Sequence, residues 1–200
     1  MSAVRLAKSI PPILAAGWNV ACAQDGTASE FEYLRLDERS LVVTHSLASR
    51  FDMPAQYTVH PPTHRAATFN DVPFEISLSA FVSPQETIMV HAEQVADGSG
   101  AANYDRFPPS NWPITEFRSP GPACQEVPTR VVAEEHDLLW LRERGFEPSG
   151  SIWMEQHFLS GNDYNDEIVV TLLISGLGCE DETEAVNRPT ALRAQLTVTH

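Results

Sequence analysis

Phe74-Glu75-Ile76-Ser77-Leu78-Ser79-Ala80-Phe81-Val82-Ser83-Pro84-Gln85-Glu86-Thr87-Ile88-Met89-Val90-His91-Ala92 is the stretch on which the fold turns. Phe74, Ile76, Leu78, Ala80 and Val82 alternate with Glu75, Ser77 and Ser79, the period of two that belongs to a strand. Ser83-Pro84-Gln85-Glu86 turns the chain, which returns through Ile88, Val90 and Ala92. The pattern predicts an antiparallel hairpin with one face in the core.

Downstream a second hairpin is expected, Ile152 to Leu159 leading through Ser160-Gly161-Asn162-Asp163 into Ile168 to Ile174. Ala191 to Thr199 alternates as a last strand. Between the hairpins, Val131 to Arg144 reads as the one main helix, closed by Gly145 and carrying Arg142 and Arg144 near its negative end. Upstream, Glu30 to Leu36 and Leu41 to Leu47 flank the turn Asp37-Glu38-Arg39-Ser40, and Gln56 to His60 is a short strand stopped by Pro61-Pro62. Residues 103–128 hold six of the fifteen prolines with Phe107, Trp112 and Phe117, so they predict a long irregular loop that packs on the fold.

These elements sum to six to eight strands in hairpins and one main helix near 131–144. That is an α+β, mostly antiparallel β chain, with a β-sandwich or barrel carrying a covering helix as the alternative. Residues 1–27 are an arm, and 28–200 a single domain. With 42% hydrophobic and 20% charged residues in 200, the chain can bury a real core.

Charge is distributed unevenly. Twenty-seven acidic residues face thirteen basic ones, for a net −14. Residues 1–65 balance at six of each, while 66–135 and 136–200 contribute −7 apiece. Such a field repels phosphate backbones, so direct nucleic-acid binding is not expected, and it attracts basic proteins and cationic ligands. Lys8 is the only lysine, which removes a P-loop lysine or a catalytic lysine from the rest of the chain.

Cys22, Cys124 and Cys179 lie far apart and make no C-x-x-C pair. They allow free thiols in a cytoplasm or one bridge, Cys124 to Cys179, in an exported protein. Arg5 and Lys8 before the apolar run Ile10 to Ala23 resemble an export signal, but Pro11-Pro12 and Trp18-Asn19 interrupt it. A cytoplasmic location is therefore expected, with a periplasmic or secreted one if residues 1–23 are a signal. No apolar run is long enough for a membrane span.

Two functional expectations follow. The first is a non-enzymatic acidic protein that docks a basic protein partner through Glu126, Glu134, Glu135, Asp137, Glu180, Asp181, Glu182 and Glu184, with no cofactor. The second is a small metal-dependent enzyme or ligand-binding domain, with His45, His60, His64 and His91 joined by Glu93 as ligands or acid–base groups. Its pocket would lie under the Pro-rich loop, lined by Trp112, Trp140 and Trp153. No H-x-H or other metal-ligand spacing supports the histidine set, and the prolines at 61 and 62 keep His60 and His64 off a shared helix. Asp163, Asn165 and Glu167 alternate like the opening of a calcium loop, but the glycine and the twelfth-position glutamate that loop needs are replaced by Ile168 and Ile174. They are expected in a solvated hairpin loop.

Overall fold

A computed structural model of the chain describes residues 32–126, 136–180 and 183–200. Eleven strands and two short helices are found among these residues. Strands β1 (Leu34–Asp37), β2 (Ser40–Val43), β3 (Ser49–Asp52) and β11 (Thr197–Thr199) form a small antiparallel sheet in the order β1-β2-β3-β11. A larger antiparallel sheet runs β4 (Thr58–Val59), β6 (Val72–Val82), β7 (Glu86–Val95), β10 (Asp166–Ser175), β9 (Ser151–Ser160), β8 (Ala123–Glu126), with β5 (Thr63–Phe69) also paired to β6. The helices are α1 (His136–Arg142) and α2 (Glu184–Arg193).

The architecture is a sandwich of two antiparallel sheets, so the expected α+β fold built round one main helix gives way to the β-sandwich alternative. Both hairpins read from the sequence are present, and β6-β7-β10-β9 are the centre of the large sheet. Register corrects one expectation. Phe81 stands opposite Ile88 and Ser79 opposite Val90, so the apolar residues of the returning strand face the other way from Phe74, Ile76 and Leu78. Both faces of the hairpin are therefore buried, and Ser77 and Ser79 are fully enclosed. Their hydroxyls are satisfied: Ser77 Oγ accepts from the Tyr33 N–H at 3.0 Å and Ser79 Oγ donates to the His60 carbonyl at 2.6 Å.

Each face has its own core. Toward the small sheet, Leu34, Leu41 and Phe51 pack against Phe81, Ile88, Val90, Val170 and Leu172, with Leu192 of α2 closing one end. On the opposite face Ile76, Leu78, Met89 and Leu173 receive Leu138, Trp140 and Leu141 of α1 and Phe146 beyond it.

Three further expectations change. Ala191 to Thr199 is the end of α2 and then the three-residue β11, because Leu192 and Leu196 are spaced to pack one helical side into the first core. The Pro-rich loop stops at residue 122, since Ala123–Glu126 pairs with β9 as an edge strand. Of the expected helix, His136–Arg142 is helical, and 131–135 lies outside the described residues.

Candidate functional site

In an antiparallel sheet, residues directly opposite share a face. On the α1 side one such row crosses five strands: Arg65 (β5), Ile76 (β6), Glu93 (β7), Glu167 (β10) and Ser160 (β9). The neighbouring row carries Leu78, His91, Val169 and Phe158. Two carboxylates thus sit face to face on the two central strands, 5% and 2% exposed, with an imidazole one row away.

The surrounding groups are placed by three other elements. His91 Nδ1 lies 2.8 Å from Glu93 Oε1, and its Nε2 points toward Asp137 Oδ2 of α1 at 3.8 Å. Arg65 Nη2 reaches across from β5 to donate to Asp137 Oδ1 at 3.0 Å. From the Pro-rich loop, Tyr104 stacks on Phe158 with ring centroids 4.2 Å apart and brings its hydroxyl to Glu167. The cluster is Arg65, His91, Glu93, Tyr104, Asp137 and Glu167.

Electrostatics separates these groups. Two unit charges ~5 Å apart repel by about 3 kcal/mol at an effective dielectric of 20, which favours protonation of one carboxyl. Burial, followed by the Glu93 charge, holds the Glu167 carboxyl well above the ordinary glutamate range, against the hydrogen bond from Tyr104. Burial and the Glu167 carboxylate likewise raise the Tyr104 phenol. For His91, burial acts to lower the value, but the hydrogen bond to Glu93 and the charges of Asp137 and Glu93 outweigh it, and the imidazole is raised. Asp137 goes the other way: burial would raise it, yet His136, His91 and Arg65 hold it well below the carboxylate range. Glu167 and His91 are therefore shifted up and Asp137 down, a divergence of the kind that acid–base chemistry uses. Three of its buried polar atoms, Glu167 Oε2, His91 Nε2 and Arg65 Nε, have no hydrogen-bond partner among the described residues.

The four histidines expected to converge are divided by the sheet. His60 and His91 lie on the α1 side, where the His60 ring meets Trp140 edge-on at 6.3 Å. His64, on the other side, lies 2.8 Å from Ser77 Oγ, and His45 Nε2 lies 3.2 Å from the Glu167 carbonyl. Only His91 and Glu93 of that set are brought together, and no group of three or more metal-ligating side chains occurs among the described residues. The tryptophans are divided in the same way. Trp112 and Trp153 pack against the core between the sheets, Trp140 against the core under α1.

Of the carboxylates expected on a docking face, Glu126, Glu180 and Glu184 are exposed, while Glu134, Glu135, Asp181 and Glu182 lie outside the described residues. Asp137 faces inward, to Arg65 and His91. A disulfide joins Cys124 to Cys179, so β8 is tied to the segment after β10. Other exposed acids, Asp71, Asp97, Asp105 and Asp163, lie at the opposite end of the sheet, beside the β9–β10 turn.

Sequence reasoning missed Glu167, Tyr104 and Arg65. It also missed a second buried set on the other face, where Arg193 of α2 is paired to Glu155, His157 Nε2 lies 3.4 Å from Glu155 Oε1, and Trp112 meets the His157 ring at 4.6 Å. One signal was available: Glu93 and Glu167 are the acids set within or against the most apolar strand runs, where a carboxylate is costly. In comparisons with known proteins the chain matches no protein-family model, no curated protein and no solved structure.

Proposed function

We propose that this chain is a small-molecule-binding domain with acid–base capacity, working through Glu93, Glu167, His91, Asp137, Arg65 and Tyr104. The observation that carries this reading is the pair of buried carboxylates set opposite each other on the central strands. Taking such groups out of water costs several kcal/mol each, and well-packed apolar residues in their place would be neutral or stabilising. A sandwich of this size does not need them for its core. A ligand that uses them accounts for their presence, with Glu167 as the proton donor. On this reading Tyr104 of the Pro-rich loop stands beside the centre that holds His91 and Glu93.

The test is a thermal-shift screen of small polar molecules against the wild-type chain and the double variant E93Q/E167Q. At least one compound is expected to raise the melting temperature of the wild type and leave the variant unchanged. Shifts that persist in the variant would sink this assignment.

A second reading, a non-enzymatic acidic protein docking a basic partner, is favoured by the bridge that ties the chain near Glu126 to the chain near Glu180. Its affinity would fall steeply with salt. The same bridge supports a periplasmic or secreted location over a cytoplasmic one, because such links persist in oxidising surroundings.

A further inference from the structure

We infer that β5 is the contact strand of a homodimer: the outer edges of two copies pair antiparallel about a two-fold axis at Ala66 and join the two large sheets into one. The partner is a second copy of this chain, and the contact is separate from the buried carboxylates.

The direction in which β5 turns its backbone follows from the ladders on β6. In the β6–β7 hairpin the Ser83 N–H donates to the Glu86 carbonyl at 2.9 Å and the Ala96 N–H to the Pro73 carbonyl at 2.9 Å, so the odd-numbered residues of β6 are hydrogen-bonded to β7. Its even-numbered residues bond to the other side, as the Ala80 carbonyl does when it accepts from the His60 N–H at 3.4 Å. On β5 those even residues stand opposite Thr63, Arg65, Ala67 and Phe69. His64, Ala66 and Thr68 are left with N–H and C=O groups pointing away from the sheet, and no backbone hydrogen bond joins them to any other described segment.

The other edges of the fold are short or blunted. Strand β4 has two residues and runs into Pro61-Pro62, β11 has three, β1 has four and ends in Asp37, and β8 has four, ends in Glu126 and is held by the disulfide. Strand β5 has seven residues with no proline, glycine or acid. The side chains of Ala66 and Thr68 are short and exposed, and the one arginine is drawn across to Asp137.

Self-complementarity and charge select a second copy as the occupant. Turned about Ala66, the outward residues match: Ala66 of one copy faces Ala66 of the other and His64 faces Thr68, giving about six N–H···O bonds with no like charges opposed. Met53 to Asn70 holds none of the chain's 27 acids, so two bodies of net charge −14 meet here without a carboxylate on either contact strand. A basic partner drawn by the field would be met where the carboxylates stand, not at this edge.

Sedimentation velocity on the full chain from about 1 to 500 μM, in about 300 mM sodium chloride to screen the repulsion between copies, tests the proposal together with amide exchange by NMR at both ends of that range. One strand pair is a small interface, so a weak dimer is expected, half formed at about 10–100 μM. The amides of His64, Ala66 and Thr68 should exchange freely in dilute protein and slow severalfold in concentrated protein, while those of Arg65 and Ala67 stay protected throughout. Ala66→Pro removes one outward N–H and leaves the β6 ladder whole, and Ala66→Glu sets two carboxylates against each other across the axis. Both variants are expected to fold by circular dichroism and to weaken the dimer at least tenfold; if the proline variant does not fold, Ala66→Glu carries the test. A chain that stays monomeric throughout, a dimer in which the three outward amides still exchange freely, or a dimer undiminished in A66E overturns the proposal. Protection of those three amides at every dilution also overturns it, and would mean that residues 1–31 of the same chain cover the edge.

Discussion

Glu167 is where the largest consequence of one side chain lies. An acid whose value is raised on folding binds its proton more tightly in the native state, so stability is full below the ordinary glutamate range and falls as pH climbs toward the raised value. Glu167→Gln removes that loss. The variant should match the wild type near pH 4 and exceed it at about pH 8 by on the order of 1–3 kcal/mol, read by urea unfolding at both pH values. His91 adds to the trend, because a raised imidazole contributes below its ordinary range and ceases to as pH rises through the raised value. Asp137 and Glu155, both lowered, contribute above the ordinary carboxylate range and lose that stability only in strong acid. A wild type that gains stability between neutral and alkaline pH would contradict this account. Glu167 was not legible as a site residue because its strand reads as a continuous apolar run. A glutamate at the edge of such a run looks like part of the turn until pairing with Glu93 shows which way it points.

Pairing also explains which elements could be read along the chain and which could not. The β6–β7 and β9–β10 hairpins were legible because strand period and turn chemistry agree in each. Strand β5 was not, since Pro61-Pro62 reads as a stop while the residues after it, Thr63 to Phe69, pair with β6 through an unremarkable sequence. Helix α2 carries Pro189, and its apolar residues mimic strand alternation; Arg188 to Glu86 and Arg193 to Glu155 then hold it in place. Edge strand β8 depends on a link that periodicity cannot show, the bridge across 55 residues to Cys179. The double variant C124S/C179S should cost about 2–4 kcal/mol, mostly through the freed unfolded chain. Amide exchange should speed up first at Ala123–Glu126 and leave β6 and β7 protected. Uniform acceleration over the large sheet would show that the bridge supports more than its own edge. At the opposite face α1, seven residues long, is anchored by Leu138, Trp140, Leu141 and the Arg65–Asp137 pair. Asp137→Asn should therefore loosen the helix and lower the alkaline end of the His91 titration, measurable by NMR of the ring protons.

At the scale of the whole molecule, composition announced the charge but could not say where it would stand. Exposed carboxylates stand at both ends of the large sheet, Asp71, Asp97 and Asp163 at one and Glu126, Glu147 and Glu180 at the other, and Glu38 stands in the β1–β2 turn of the small sheet. Arginines are fewer and several are already paired: Arg50, Arg65, Arg118, Arg188 and Arg193 with Asp37, Asp137, Asp105, Glu86 and Glu155. Self-repulsion within a body of net charge −14 then outweighs surface ion pairs, each worth about 0–1 kcal/mol. Salt weakens both, but there is more repulsion than attraction to screen. The urea midpoint at neutral pH should therefore rise between roughly 20 mM and 300 mM sodium chloride, as the screening length falls from about 20 Å to about 6 Å. Repeating the measurement near the isoelectric point of about 4.8 should flatten or reverse that dependence, since repulsion vanishes there while the arginine pairs remain. A midpoint that drops with salt at neutral pH would mean that the paired arginines, and not the net negative charge, govern the folded state.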